Sequence, residues 1–298
     1  MTTLTSTPTP AAVADRLEGK ARAAVNFTIF AAVAVAVGWV GIALDAVTGA
    51  SRGNSLGMGL WLVLPALTGV LLVRLRPDGG GPLGLTLRFP HRARWFIFAA
   101  LFYLPLTALT VLAGVATGLG SFDASSPAGK PALLAGIAAA LAPLALKNFF
   151  EELAFRGFGT RTAVTAGLPR LRAHLLVGLT WALWHLPFYL YFLARSDFRA
   201  TTSLPWPLFL PLFFAGVLAT AVVLGELRLR TGSIWPGVLV HTIGGALVNT
   251  LILDGHLTYS SHGDALFSPA PNSLASIVAL GLVGLALLPR AHRPLVRA

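Results

Sequence analysis

Eight apolar segments, near residues 24–47, 57–74, 95–117, 131–150, 173–194, 205–227, 233–253 and 273–289, divide this chain of 298 residues. Most are about 18–24 residues long, enough for a helix rising 1.5 Å per residue to cross roughly 30 Å of hydrocarbon. A backbone in lipid must satisfy its own hydrogen bonds, so only helices and closed barrels are open to such a chain. The unbroken runs lack the alternation of barrel strands. The sequence therefore predicts an all-α, polytopic membrane protein with about eight transmembrane helices.

Charge supports this reading. Only 11% of residues are charged, against about 25% in soluble domains. The chain has no cysteine, which excludes a disulfide framework, a thiolate metal site and a thiol nucleophile. Its polar N-terminus has no apolar stretch of the kind that marks a cleavable signal peptide. The net charge of +11 is a matter of topology, not of nucleic-acid binding. Of 22 Lys and Arg residues, 18 fall in the two tails and in the second, fourth and sixth connectors. Arg52, Lys130, Arg195 and Arg199 alone fall on the other side. The positive-inside rule then puts both termini in the cytoplasm and the protein in the cell membrane as a multi-pass chain.

Against this background a few polar residues stand out. The fourth segment ends in Asn148, Glu151 and Glu152, with Arg156 four residues on. A charge within the bilayer costs about 2.5 kcal/mol or more, and two adjacent carboxylates also repel each other. Arg156 shares a helical face with Glu152, and Lys147 precedes Glu151 by four, so each acid has one helical partner of opposite charge. The fifth segment contains His185, between Trp181-Ala-Leu-Trp184 and Pro187. The seventh contains His241, followed by Gly244-Gly245 and Asn249. Taken singly, a membrane histidine is usually a packing group and Glu152–Arg156 a structural ion pair. Three helices each supplying such groups point to one site. His174, the Glu226–Arg230 pair, Asp45 and Asp254 read as interfacial or solvated and carry no assigned role.

A glutamate and a histidine together can hold and deprotonate a water, and a second histidine can donate to an oxyanion. Two histidines and a glutamate are also a zinc ligand set, with Glu151, His185 and His241 as the ligands. Both routes hydrolyse an amide. There is no GxSxG and no HExxH pattern.

Glu151-Glu-Leu-Ala-Phe-Arg156 matches the EExxxR signature of the CPBP family, the CAAX-protease and bacteriocin-processing intramembrane proteases. Trp181-Ala-Leu-Trp-His185 resembles its FxxxH motif with Trp for Phe, and His241 its HxxxN motif. The resemblance spans about residues 131–253. It implies that Glu151 and His185 activate a water, that Glu152 and Arg156 brace the site, and that His241 helps to hold the oxyanion. It also implies a division of the chain into a disordered cytoplasmic tail (1–23), N-terminal transmembrane helices (24–130), a catalytic core (131–253), and an outer loop with a last transmembrane helix and basic cytoplasmic tail (254–298). The family is described both as metal-dependent and as metal-independent; the expectation here is that no cofactor is required, with zinc as the alternative. Gly245 stands where the family has asparagine, and Asn249 is the secondary candidate for that role.

The implied activity is endoproteolysis of a membrane-associated peptide or protein near the cytoplasmic face, within the lipid bilayer and without nucleic acid. Eukaryotic relatives of the family trim prenylated proteins; a peptide pheromone, a bacteriocin or a small membrane protein is an equal expectation. Gly245 keeps a second reading open, a non-catalytic scaffold or immunity-type protein of the same fold. A proton-coupled transporter relaying through Glu151 and His185 is a third, disfavoured because no internal repeat is visible.

Overall fold

The computed structural model describes residues 9–125, 127, 129–260 and 262–289. Twelve α-helices follow the order α1 (Pro10–Thr48), α2 (Leu56–Leu75), α3 (Phe89–Leu101), α4 (Tyr103–Ala116), α5 (Leu133–Glu152), α6 (Arg161–Thr165), α7 (Arg170–Pro187), α8 (Arg195–Thr201), α9 (Trp206–Thr231), α10 (Trp235–Leu253), α11 (Gly263–Phe267) and α12 (Leu274–Leu287). Two three-residue strands, β1 (Gly120–Phe122) and β2 (Leu257–Tyr259), pair antiparallel with Gly120 opposite Tyr259. The protein is an all-α polytopic membrane protein.

Seven helical stretches are long and apolar enough to cross a bilayer: Val13–Thr48, Leu56–Leu75, Arg92–Ala116, Leu133–Thr165, Arg170–Phe192, Trp206–Thr231 and Trp235–Leu253. The eighth apolar segment forms a shorter helix than these seven. Its helix, α12, has 14 residues, about 21 Å at 1.5 Å per residue, which is short of the hydrocarbon thickness. Ser273 starts it by accepting from the Ser276 amide at 3.2 Å. Leu288 ends it in an extended conformation, because the ring of Pro289 disfavours helix at the residue before it.

Residues 10–23, expected to be disordered, form the first turns of α1. Residues 1–8 of that tail and the basic end from Arg290 lie outside the described residues. The fourth span is also longer than its apolar run. It continues from α5 through a π-helical stretch, Leu153–Thr160, into α6. The acidic motif and Arg161 are thereby inside a 33-residue helix, not in a cytoplasmic connector. Within the π turn Thr160 Oγ1 donates to the Phe155 carbonyl, five residues back, at 3.2 Å. The helix breaks at Gly167, whose φ of +94° suits only glycine without strain, and Pro169 precedes α7.

The core is one aromatic-rich cluster at the crossing of α1, α2, α7, α9 and the π stretch, with Phe30, Trp61, Phe155, Phe158 and Trp184 all buried. Trp61 and Trp184 stack at 4.0 Å and exchange indole bonds. Trp61 donates to the Trp184 carbonyl at 2.8 Å and Trp184 to the Trp61 carbonyl at 3.0 Å. This pair locks α2 to α7 and fixes the helix that carries His185. Outward faces present Leu71, Leu101, Leu109, Leu112 and Leu134, as lipid contact requires.

Three groups read as interfacial or solvated are buried instead. Asp45 accepts from the Gly57 amide at 3.0 Å. Glu226 is fully buried and bound by Arg170 at 2.7 and 2.8 Å and by His174 at 2.9 Å, with Arg230 at 3.5 Å. His174 is buried with it. The i,i+4 spacing that resembles a surface pair is thus one edge of a buried cluster joining α7 to α9.

Candidate active site

The α5 face that carries Leu144, Lys147, Asn148 and Glu151 packs on α10. Asn148 Nδ2 donates to Thr242 Oγ1 at 3.4 Å, and a Cβ placed on Gly245 would lie 3.3 Å from Leu144 Cδ1. The helices run antiparallel, so Glu151 and Glu152 come level with the start of α10, beside His241. The third wall is α7. His185 lies on it one turn above Trp181.

Glu151 is 1% exposed and Glu152 wholly buried. Glu151 is not a solvated carboxylate at a helix end. Lys147 Nζ binds its Oε1, the indole of Trp181 donates to its Oε2 at 3.1 Å, and His185 Nε2 stands 3.9 Å from that same oxygen. His185 Nδ1 lies 2.9 Å from the Trp181 carbonyl. A carbonyl only accepts, so Nδ1 carries the proton of the neutral ring and Nε2 is left as an acceptor aimed at Glu151.

Glu152 faces two basic side chains. Arg156 Nη1 is 3.4 Å from its Oε1 and His241 Nδ1 is 3.4 Å from the same atom. Arg156 also lies over the Trp181 ring, 4.0 Å from its centroid. That cation–π contact offsets part of the desolvation of a guanidinium that finds no aligned hydrogen bond among the described residues. His241 meets the same indole edge-on at 5.5 Å. Gly237 permits the approach of α10, since a Cβ there would fall 2.4 Å from Glu152 Oε2.

The five residues singled out in the sequence therefore converge. Trp181 touches four of them through its indole N–H, its ring and its carbonyl. Its position at the head of the WxxxH motif was the available signal. Asn249 is not gathered in. It is an exposed residue two turns beyond His241, at the far part of the cavity.

That cavity, of about 240 Å³, is lined by Lys147, Asn148, Trp181, His185 and His241 at one end and by Thr201, Asn249 and Pro271 at the other. Tyr189, Phe209 and Phe213 make its wall apolar between them. Glu151 lies just behind the lining. The cavity runs toward the connectors around 193–205 and 268–273, on the side that the charge count assigns to the outside.

The residues do not fit a zinc ligand set. The Lys147 ammonium already occupies Glu151 Oε1, where it would stand beside a dication, and His241 faces Glu152, not Glu151. Among the described residues no three His, Asp or Glu side chains group at metal-binding spacing.

Residues 130–247 match the family model described as type II CAAX prenyl endopeptidase Rce1-like. The match covers all three motifs. Over that part of the chain it supports the resemblance to the CAAX-protease and bacteriocin-processing family. No curated protein matches the chain.

Proposed function

We propose that the protein is an intramembrane endopeptidase that hydrolyses a peptide bond of a membrane-associated peptide or protein by a metal-independent, Glu/His-activated water. The observation that carries this reading is the 3.9 Å gap between His185 Nε2 and Glu151 Oε2. Both atoms are acceptors, and one water touches both across that gap. Such a water donates its two hydrogens to the protein and turns a lone pair toward the cavity. Attack on a peptide carbonyl forms the C–O bond as a water proton passes to Glu151 or His185. The proton then goes to the departing amine nitrogen as the C–N bond breaks, leaving a carboxylate and an amine.

Glu152, Arg156 and Trp181 keep this arrangement in place. Glu152 holds His241 toward the cavity, and His241 carrying both ring protons is a donor to the oxyanion. The apolar wall of Tyr189, Phe209 and Phe213 suits an apolar peptide or lipid-modified segment.

The test is incubation of purified wild-type protein in nanodiscs with a library of membrane-anchored fluorogenic peptides, with and without a zinc chelator. Mass spectrometry would identify both new termini. Cleavage that survives chelation is the expected outcome. Cleavage lost on chelation and restored by zinc would return Glu151, His185 and His241 to the role of ligands. A folded wild type that cleaves no member of the library would favour the scaffold reading that Gly245 raises.

A further inference from the structure

The Lys147 ammonium lines the same cavity as His241, Gly244 and Gly245 and binds the catalytic carboxylate behind the wall. Its side chain is 28% exposed there, while Glu151 behind it has none of its side chain exposed. Of its three N–H donors, one binds Glu151 and a second reaches Asn148 Oδ1 at 3.4 Å. The third has no partner to satisfy within the pair. Lys147 and Leu144 share a helical face one turn apart, and Leu144 is the side chain that faces Gly245. Position 245 therefore offers no side-chain donor, and a permanent cation stands one turn away.

The other donor on this side is conditional. His241 turns Nδ1 to Glu152 Oε1 at 3.4 Å. With a single ring proton directed there, its Nε2 has none to give. An ammonium is a donor in every rotamer.

We infer that Lys147 is a further catalytic residue, the group that donates to the oxyanion of the tetrahedral intermediate. This rests on the proposed endopeptidase reading. As the water oxygen bonds to the carbonyl carbon, the carbonyl π pair moves onto oxygen. The water proton goes to Glu151 or His185, so Lys147 keeps its own protons. Its N–H stabilises the new negative oxygen and releases it when the C=O bond re-forms and the amine leaves protonated. Lys147 is thus a charge bridge, held by Glu151 before reaction and shared with the oxyanion during it. Donors of this kind contribute about 10²–10³ in kcat.

The test uses full-length protein in nanodiscs, the best-cleaved fluorogenic peptide, and a phosphonamidate of the same sequence whose anionic oxygen mimics the oxyanion. Lys147→Met is expected to lower kcat by roughly 10²–10³ with KM nearly unchanged, and to weaken phosphonamidate binding by a similar factor. Gly245→Asn is expected to restore roughly tenfold or more of kcat in the Lys147→Met background and to change little in the wild type. A Cβ at position 245 meets only the flexible end of Leu144, at 3.3 Å.

A Lys147→Met kcat close to wild type overturns the inference. So does a loss of kcat with phosphonamidate affinity intact and no rescue by Gly245→Asn, which would mean that Lys147 only holds Glu151. If the methionine variant does not purify folded, Lys147→Arg carries the test. It keeps a cation on Glu151 but moves the N–H groups, so kcat and phosphonamidate affinity should fall together, and unchanged values would overturn the inference. A wild type that cleaves nothing removes the endopeptidase reading, and this inference with it. A cleaving wild type with an unaffected Lys147→Met variant removes this inference alone.

Discussion

The Trp181 indole donates to Glu151 Oε2 at 3.1 Å, the same oxygen that faces His185 Nε2. One donor therefore fixes the rotamer of the proposed base on the side where the water must sit. Trp181→Phe keeps the ring under Arg156 and removes only that bond. A hydrogen bond to a charged group contributes about 1.5–3 kcal/mol, so kcat should drop at least tenfold, with a smaller change in KM. Steady-state kinetics on a cleaved peptide would check this.

The close passage of α10 over Glu152 gives a second expectation. Gly237→Ala puts a methyl where Glu152 Oε2 stands, in a packed region with the backbone of α10 on one side. Overpacking of this kind costs about 1–3 kcal/mol. The thermal midpoint in detergent should fall, and activity should fall further than the folded fraction does, because Glu152 also orients His241.

The connector between α2 and α3 is tied to α6 by Asp78, whose carboxylate binds Arg161 at 2.5 and 3.0 Å. Burial pushes the Asp78 carboxyl up, but the Arg161 guanidinium and the Gly80 amide outweigh it and hold it below the usual value. A depressed folded value means that the stabilisation is complete above the ordinary carboxylate range and is lost as pH falls through the lowered value. The tether should hold through neutral and mildly acidic pH and release only in stronger acid. Asp78→Asn should remove it at all pH, at a cost of about 3 kcal/mol for the buried guanidinium left behind. Thermal midpoints of both proteins against pH would separate the two curves.

Glu226 is the acid of a second buried cluster, with Arg170, His174 and Arg230 around it. Glu226→Gln should destabilise α7 against α9 by about 3 kcal/mol, because three basic groups lose their counter-charge. It should leave the folded fraction with its kcat, since none of these groups lines the cavity. Parallel unfolding and cleavage measurements would show whether the cluster is structural.

Much of this architecture is legible in the sequence because apolar length is a blunt, additive signal: seven of the eight runs became helices long enough to span. The last run forms a helix of only 14 residues, closed by the restriction that Pro289 places on Leu288. The carboxylate motif is legible because charges against an apolar run need a reason. What escaped depends on register. The π stretch after Glu152 carries no composition of its own, although a helix to about Thr165 and its break at Gly167 are legible. Lys147 is legible as the helical partner of Glu151, but its place in the cavity wall is not. Trp181 looks like packing because only its indole N–H, not its hydrophobicity, matters to Glu151. Glu226 and Arg230 show the spacing of a surface pair, and only the approach of Arg170 and His174 from α7 reveals a buried cluster.

The central claim is that Glu151, with His185, activates the attacking water. Single-turnover cleavage of one peptide by wild type and by Glu151→Gln, at matched folded fractions judged by thermal midpoint, tests it most directly. Glutamine preserves shape and the Trp181 contact but is not a base, so cleavage should fall to background while the peptide still binds. Cleavage by Glu151→Gln at the wild-type rate would contradict the account and leave the carboxylate a structural partner of Lys147.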